Sequence, residues 1–307
     1  MHSHSHEHHD HGHTQNLNFG RAFAIGILLN IGFVVVEWVY GVMAHSLALV
    51  ADASHNFSDV VGLILAWGAL VLARKPPSLR FTYGLRGSTI LSALGNAMLL
   101  LVASGGIAWE AILRFGTPSP VNETVVIWVA VIGVAINAAT AILFMSGRKA
   151  DLNIRGAYLH MAADAGVSLG VVLAGLTIRF TGWVWLDPAV SLAIVALILA
   201  GTWGLLRDSV SLALHAAPSN VDPVAVRHYL AGLPGVKEVH DLHIWGMSTT
   251  ETALTAHLVM PDGYPGDDFL TGTTAEIEHK FHIGHATIQV ETGAASKPCA
   301  LAPENVV

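Results

Sequence analysis

Long apolar runs alternate with short polar segments from about residue 20 to residue 206. A bilayer core about 30 Å thick needs roughly 20 apolar residues for each helix that crosses it. The pattern therefore predicts six membrane-spanning helices, after which the long apolar runs stop. The expected spans are 22–43, 47–72, 89–113, 124–145, 152–178 and 185–206.

The remaining sequence has the shorter periods of a small domain. Residues 236–246 and 252–260 alternate like strands, and 285–291 resembles a third strand. Residues 223–233 and 267–282 have helical patterns. The order helix, strand, strand, helix, strand predicts a small α+β domain. The whole chain is thus divided into a histidine-rich tail (1–19), a six-helix transmembrane domain (20–208), an α+β domain (209–292) and a C-terminal tail (293–307).

The amino-acid composition also favours a membrane protein. The chain is 53% hydrophobic and only 12% charged, whereas soluble domains have about 25% charged residues. A net charge of -7 gives no reason to expect a nucleic-acid partner. Cys299 is the single cysteine. One cysteine cannot form a disulfide within the chain, and we expect no cysteine-based zinc cluster.

Basic residues are distributed unevenly among the loops. The loops after the second and fourth spans carry most of them, while the opposite loops carry only Arg114 and Arg179. Since short cytoplasmic loops are enriched in Lys and Arg, both termini are predicted to be cytoplasmic in a multi-pass protein of the inner (plasma) membrane. The basic residues on the cytoplasmic side are Arg74, Lys75, Arg80, Arg86, Arg148, Lys149 and Arg155.

The N-terminal tract reads MHSHSHEHHDHGH and holds seven of the 18 histidines. Such a composition indicates weak, multivalent metal capture. A purification tag is the alternative interpretation. The interspersed Ser, Glu, Asp and Gly favour a native tract.

Two histidine–aspartate pairs interrupt the apolar spans. His55 and Asp59 lie in the second span, and His160 and Asp164 repeat the same spacing in the fifth. Residues at i and i+4 share one helix face, so each span directs one imidazole and one carboxylate the same way. A charge at the bilayer centre costs at least about 2.5–3.5 kcal/mol, so these residues need a partner or a function.

The two pairs also lie at matching depths. With a rise of 1.5 Å per residue, each histidine is about 12 Å and each aspartate about 18 Å from the edge where its span starts. Because the spans run in opposite directions, His55 should be level with Asp164, and Asp59 with His160. Two imidazoles and two carboxylates suit Zn2+. The alternative is that each pair is a buried hydrogen-bonded contact between helices.

Two further carboxylates lie within the predicted spans, and neither is assigned as a metal ligand. We place Asp52 off the face of the paired residues and assign it to helix packing or gating rather than to metal binding. Glu37 in the first span could serve the ion path, but a packing or dimer role is as well supported.

Several motifs together resemble the cation diffusion facilitators, in particular their bacterial zinc-exporting branch. They are SLALVADASHNFSD, RFTYGLRG, HMAAD, VHDLHIW and HATIQVE, in order over residues 20–292. The resemblance implies a homodimer, six spans per protomer, a metallochaperone-like (ferredoxin-like) cytoplasmic domain and zinc/proton exchange. The transport site it implies comprises His55, Asp59, His160 and Asp164, and a histidine at position 55 favours zinc.

The resemblance also implies a metal site in the cytoplasmic domain, where zinc would be a regulatory ion. Gln289 stands where some relatives have a histidine, which disfavours a full two-metal site, and the loop ARKPPSLR lacks the ligands of an extra site found in others. Surface histidines without a metal are the alternative. The matching positions are His240, His257, His285 and Glu291, with His243 and His282 nearby.

These patterns predict a secondary transporter, not an enzyme, that exports Zn2+ in exchange for protons; Cd2+, Co2+ and Ni2+ are further candidate ions. No G-x-x-x-x-G-K-[ST] motif occurs, so an ion gradient must supply the energy. An intramembrane metalloprotease is a rival hypothesis, but His-Glu-x-x-His does not occur. A metal sensor without transport would leave the paired intramembrane residues unexplained.

Overall fold

A computed structural model describes residues 31–117, 119–145, 152–294 and 299–303. Within them, five helices are long and apolar enough to cross a membrane, and a shorter apolar helix, α1 (Ile31–Met43), precedes them. The first predicted span begins outside the described residues, so the count of six spans stays a prediction. The five long helices are α2 (Leu47–Ala73), α3 (Ser88–Gly116), α4 (Glu123–Met145), α5 (Leu152–Thr181) and α6 (Leu186–Ala213).

The helix ends follow the apolar runs closely, with one exception. Helix α6 was expected to end near residue 206 but continues to Ala213. Arg207 and Asp208 mark the end of the apolar run, yet both are compatible with helical backbone and both are exposed. The predicted domain boundary at 208 therefore falls inside a helix.

The chain forms two compact units. Of the described residues, those up to Val60 and those within Leu100–Leu199 form one unit, and those within Val61–Leu99 and from Ala200 onward form the other. In the first unit, glycines allow close helix contacts. A Cβ on Gly175 of α5 would lie 2.8 Å from Ile127 of α4, and a Cβ on Gly133 would lie 2.8 Å from Phe33 of α1. Larger residues at either glycine would push these helices apart.

The start of α2 is fixed by a carboxylate from another helix. Asp187, in the first turn of α6, accepts hydrogen bonds from the Ser46 hydroxyl and from the backbone N–H groups of Leu47 (2.8 Å) and Ala48 (3.4 Å). The first N–H groups of a helix have no partner within it, so Asp187 caps α2 from outside. Asp187 is itself only 2% exposed.

Two more bonds hold the turn between α1 and α2. The Arg114 guanidinium of α3 donates to the carbonyl oxygen of His45, and the backbone N–H of Asn122 donates to that of Ala44 at 3.0 Å. Groups from three separate parts of the first unit therefore converge on residues 44–48.

The C-terminal domain has the predicted order of elements. Asp222 caps α7 by accepting from the N–H of Val224 at 2.9 Å. Strands β1 and β2 pair antiparallel, and β2 and β3 pair parallel, with α8 as the crossover between them. One hydrophobic core, which includes Leu254, Leu258 and Ile277, is enclosed by these elements. Their bounds are α7 Pro223–Ala231, β1 Glu238–Gly246, β2 Thr252–Val259, α8 Asp267–Phe281 and β3 His285–Glu291.

Strand register brings histidines from neighbouring strands together. His240 of β1 is paired with His257 of β2, which is paired in turn with Gln289 of β3. The β1–β2 register shifts between His240 and His243. Asp241 lies within this bulge with a φ of 50°. Such a left-handed backbone conformation is uncommon for residues other than glycine, although aspartate tolerates it better than most.

The loop between α2 and α3 contacts the sheet of the C-terminal domain. Arg86 forms a 2.8 Å ion pair with Glu251, and the ring of Tyr83 packs edge-on against that of His285. Thr89 accepts a 3.1 Å hydrogen bond from the backbone N–H of Thr249. These contacts explain why the motif RFTYGLRG lies next to the domain's strand residues in the folded chain.

Candidate metal centres

The two intramembrane pairs meet between α2 and α5. His160 Nε2 lies 3.2 Å from Asp59 Oδ2, and His55 Nε2 lies 3.9 Å from Asp164 Oδ1. These are the cross-helix neighbours expected from depth. Within each helix, the imidazole-to-carboxylate distances are 3.7 Å for His55–Asp59 and 3.6 Å for His160–Asp164. The four groups therefore form a closed ring of nitrogen and oxygen atoms.

The nitrogen-to-oxygen separations around this ring are close to those between ligands of a tetrahedral metal ion. Ligands bound to zinc at 2.0–2.1 Å lie about 3.3 Å from one another. The four nitrogen-to-oxygen distances lie between 3.2 and 3.9 Å. Two different oxygens of Asp164 make these contacts, Oδ1 with His55 and Oδ2 with His160.

Burial and unmet hydrogen bonding are consistent with a ligand set. Asp164 is only 4% exposed, while the side chain of His160 is 43% exposed. Among the described residues, Asp164 Oδ2 is buried and has no hydrogen-bond partner. A buried carboxylate oxygen without a partner is costly, and a bound cation would satisfy it.

Asp52 is placed differently from our expectation. It precedes Asp59 by seven residues, almost two full turns of helix, so it projects from the same face of α2. Asp52 is 1% exposed and accepts a 2.9 Å hydrogen bond from Ser168 of α5. Ser168 follows Asp164 by one turn, so this bond joins the same two helices next to the ring. Glu37 of α1 is also fully buried.

A second group of potential ligands lies in the C-terminal domain. One atom each of His240, His257, Glu291 and Cys299 lie within 4.8 Å of one another. Glu291 is 3.0 Å from His257 Nδ1 and 3.5 Å from His240 Nε2. The thiol of Cys299 is 3.8 Å from the same His257 nitrogen.

The electrostatics of this group centre on Glu291. Partial burial raises the pKa of the Glu291 carboxyl, but hydrogen bonds from the Cys299 thiol and the Gln289 amide, with the nearby His240 and His257, together lower it below the usual value. The amide of Gln289 donates to Glu291 at 2.9 Å. Glu291 is therefore held as an anion between two imidazoles.

The other histidines of this domain lie apart from the group. His285 begins β3, is exposed and packs against Tyr83, so within one chain the structure does not bring it to Glu291, six residues along the same strand. With Arg86, Glu251 and His282 it borders a cavity of about 510 Å³. His243 contacts Asp241 at 2.9 Å rather than the group itself.

Two residues near this group were not singled out from the sequence. Cys299 was set aside because one cysteine cannot form a cysteine cluster, and Asp241 had no signal beyond its position in VHDLHIW. Asp241 contacts His257 Nε2 at 3.3 Å, on the side of the ring opposite the group. The position of Cys299 eight residues after Glu291 carries no periodic signal, so only the folded chain shows that they meet.

Both parts of the chain match domains of one known protein family. Residues 23–212 match the cation efflux transmembrane domain, and residues 218–293 match the cytoplasmic domain of cation efflux proteins. The chain belongs to the cation efflux family. The resemblance drawn from the motifs is thereby confirmed.

Similar proteins in this family carry names that refer to metal transport. The chain is 38% identical to the cation efflux system protein CzcD of Alcaligenes sp. over 88% of this chain and 86% of that protein. It is 36% identical to a cadmium, cobalt and zinc/H(+)-K(+) antiporter of Bacillus subtilis, over 89% of each chain. It is also 36% identical to the zinc transporter ZitB of Escherichia coli, over 88% of this chain and 86% of that one. The chain is thus a multi-pass member of a metal-transporter family with a cytoplasmic dimerisation domain.

Proposed function

We propose that the protein exports Zn2+ from the cytoplasm in exchange for protons, through His55, Asp59, His160 and Asp164. The observation that carries this proposal is the ring of four nitrogen-to-oxygen distances between 3.2 and 3.9 Å, made by two helices of a transporter-family domain. A hydrogen-bonded helix contact would need only one His–Asp pair. Two pairs at one depth make a complete ligand set for an ion that must be dehydrated within the membrane.

Proton exchange follows from the chemistry of the ligands. Zinc binds a neutral imidazole and an ionised carboxylate, so protons and metal compete for the same groups. An unperturbed imidazole titrates near pH 6.5. A site facing a near-neutral cytoplasm would load zinc, and the same site facing a more acidic exterior would exchange it for protons. The relative in Bacillus subtilis is named a cadmium, cobalt and zinc/H(+)-K(+) antiporter, which supports exchange of the metal for protons.

The charge of the cargo is balanced by the site. Two aspartates neutralise a divalent ion, so the loaded site carries no net charge if both imidazoles are neutral. When the ion leaves, two carboxylates remain in a region where Asp164 is 4% exposed. Protons that replace the ion relieve their repulsion and allow the site to return to the cytoplasm.

The test is zinc flux into vesicles with an imposed pH gradient and a trapped pH-sensitive dye. Purified protein in sealed liposomes should move zinc toward the more acidic side, and the dye should report proton movement in the opposite direction. The Asp164→Ala variant is the matched control. Zinc movement that ignores the gradient and leaves the dye silent would replace antiport with facilitated diffusion.

Ion selectivity is proposed to favour zinc, with Cd2+, Co2+ and Ni2+ as further substrates. The N2O2 ligand set suits Zn2+, and the names of similar proteins refer to cadmium, cobalt and zinc. Affinity alone follows a general order among divalent metals and does not select zinc. Fluxes of the four ions at equal concentration would rank them. Equal fluxes for all four would contradict a preference for zinc.

The protein is proposed to work as a homodimer in the inner membrane with both termini cytoplasmic. The match to the family's cytoplasmic domain supports this arrangement. Since Cys299 is the only cysteine, a membrane-impermeant maleimide can locate the C-terminus. In intact cells treated with chelator, Cys299 should react only after the membrane is permeabilised. Reaction in intact cells would reverse the topology.

The rival functions are an intramembrane metalloprotease and a receptor that senses metal without transport. Membership of a transporter family disfavours both. A regulatory zinc is proposed in the cytoplasmic domain at His240, His257 and Glu291. Neither buried ring nitrogen of His240 has a hydrogen-bond partner in the part of the chain that the structure describes, which supports a metal at this place. His285 stays a separate predicted metal position, which a second protomer would have to bring near.

A further inference from the structure

We propose that the thiolate of Cys299 is the fourth ligand of the cytoplasmic metal site, which makes that site a closed His2GluCys centre for soft divalent ions. The inference rests on the proposed cytoplasmic site and adds to it a ligand from the C-terminal tail.

The burial of His240 indicates that the cytoplasmic group binds a ligand. His240 is 5% exposed, and among the described residues neither of its ring nitrogens has a hydrogen-bond partner. An unpaired imidazole in a protein interior is unfavourable, because its polar atoms lose water without compensation. Its Nε2 lies 3.5 Å from Glu291, at a separation typical of two ligands of one ion rather than of a hydrogen bond.

Cys299 completes the set geometrically. Its sulfur is 3.8 Å from His257 Nδ1 and within 4.8 Å of a carboxylate oxygen of Glu291, so it lies near both nitrogen and oxygen ligands. With zinc–sulfur bonds of about 2.3 Å and zinc–nitrogen bonds of 2.0–2.1 Å, these ligand atoms would lie about 3.6 Å apart in a tetrahedron. The observed separation is close to that value.

His257 is oriented for this role by Asp241. The aspartate contacts His257 Nε2 at 3.3 Å, so Nδ1 is the nitrogen that faces Glu291 and Cys299. Metal-bound histidines commonly donate their second N–H to a carboxylate, which fixes the ring. Asp241 is therefore a positioning residue, and the bulge with its left-handed backbone directs it toward the ring.

Charge also favours a thiolate. Glu291 and an ionised Cys299 together balance a divalent cation, and two neutral imidazoles complete the coordination. Metal binding releases the thiol proton. Because thiolate is a soft ligand, it should favour Cd2+ and Zn2+ over Co2+ and Ni2+ relative to a site with oxygen in its place.

The experiment exploits the single cysteine of the full-length protein. The rate of reaction of Cys299 with a maleimide is measured in detergent with and without Zn2+ or Cd2+. Metal bound by the N-terminal histidines or at the intramembrane site leaves this readout unchanged. We expect zinc to slow the reaction at least about tenfold in the native chain. The slowing should disappear in His240→Ala and persist in His279→Ala, which removes an exposed histidine of the same domain.

Direct coordination is tested with Co2+, whose bond to a thiolate gives a charge-transfer band in the near ultraviolet. The band should be present in the native chain and absent in Cys299→Ser and in His240→Ala. Zinc could stabilise the protein thermally in a way that needs His240, yet give neither protection of the thiol nor the Co2+ band. That result would overturn the thiolate as a ligand and leave the proposed cytoplasmic metal site in place. Absence of any metal effect that depends on His240 would overturn both.

Discussion

The intramembrane ring and the cytoplasmic group use similar residues on very different supports. In the ring, each of two helices contributes one histidine and one aspartate one turn apart. In the cytoplasmic group, three hydrogen-bonded strands contribute the two histidines and the glutamate. Two helices can shift relative to each other and divide the ligand set in half. Strands joined by ladder hydrogen bonds cannot do so without loss of those bonds.

The two groups of residues also differ in the solvent exposure of their histidines. The His160 side chain is 43% exposed, whereas that of His240 is 6% exposed. The first arrangement suits an ion that must enter and leave, and the second suits an ion that stays. Ligand identity alone therefore does not separate the proposed transport site from the proposed regulatory site; the elements that hold the ligands do.

The largest expected effect comes from a carboxylate of the ring. Asp59→Ala or Asp164→Ala should lower zinc flux by more than about 100-fold, because a lost ligand leaves an open position and an unbalanced charge. Zinc protection of Cys299 should persist in the same variants, which separates the two centres in one protein. Asp208→Ala, which removes an exposed carboxylate of α6, is the control. Flux near the native value in either ring variant would contradict the proposal that the ring is the transport site.

A cytoplasmic ligand should affect stability more than maximal transport. Zinc at 100 times its dissociation constant stabilises a folded protein by about 2.7 kcal/mol. His240→Ala should lose most of this zinc-dependent rise in Tm and keep its maximal flux within about twofold. His279→Ala should retain the rise. If His240→Ala abolished flux as fully as Asp164→Ala, the contrast between a transport centre and a regulatory centre would fail.

A moderate effect is expected next to the ring. Ser168→Ala removes the hydrogen bond to Asp52 and should destabilise the protein by about 1–3 kcal/mol, the usual cost of a buried acceptor left without its donor. Ser191 is equally buried, but its hydroxyl has no hydrogen-bond partner in the described part of the chain. Ser191→Ala should therefore have little effect. Equal losses of thermal stability in both variants would show that the Ser168–Asp52 bond contributes nothing specific.

The smallest effect is expected from the N-terminal tract. Deletion of residues 2–13 should raise the zinc concentration for half-maximal flux a few fold and leave the maximal rate unchanged. Tethered weak ligands raise the local metal concentration without taking part in the transport step. Flux measured across a range of buffered free zinc tests this. A truncated protein without flux would place the tract in the ion path.

The sequence was informative where one physical pattern determines the outcome. Apolar runs predict the long helices, and the spacing of four predicts that His55 and Asp59 share a face. Strand alternation predicts the order of elements in the cytoplasmic domain, which the structure shows. These features depend on local periodicity, so they can be read without knowing what packs where.

Long-range contacts were not predictable in the same way. Cys299 and His257 meet although they are 42 residues apart, and no periodic pattern links such distant positions. The role of Asp241 depends on a bulge that alternation alone does not reveal. Asp52 was misplaced for a simpler reason, since seven residues make nearly two turns and return to the same helix face. The ferredoxin-like description and the sixth span stay predictions.

The cap on α2 has a mechanical consequence for the ion. Asp187, Arg114 and Asn122 together hold residues 44–48, so α2 would rotate about that end as a lever about a pivot. His55 and Asp59 lie about 12 and 18 Å along the helix axis from Leu47. A tilt of about 10° would carry them roughly 2 and 3 Å sideways, and the larger displacement exceeds the length of a zinc–oxygen bond. In the proposed transport site, such a tilt would thus move the carboxylate farther than the imidazole.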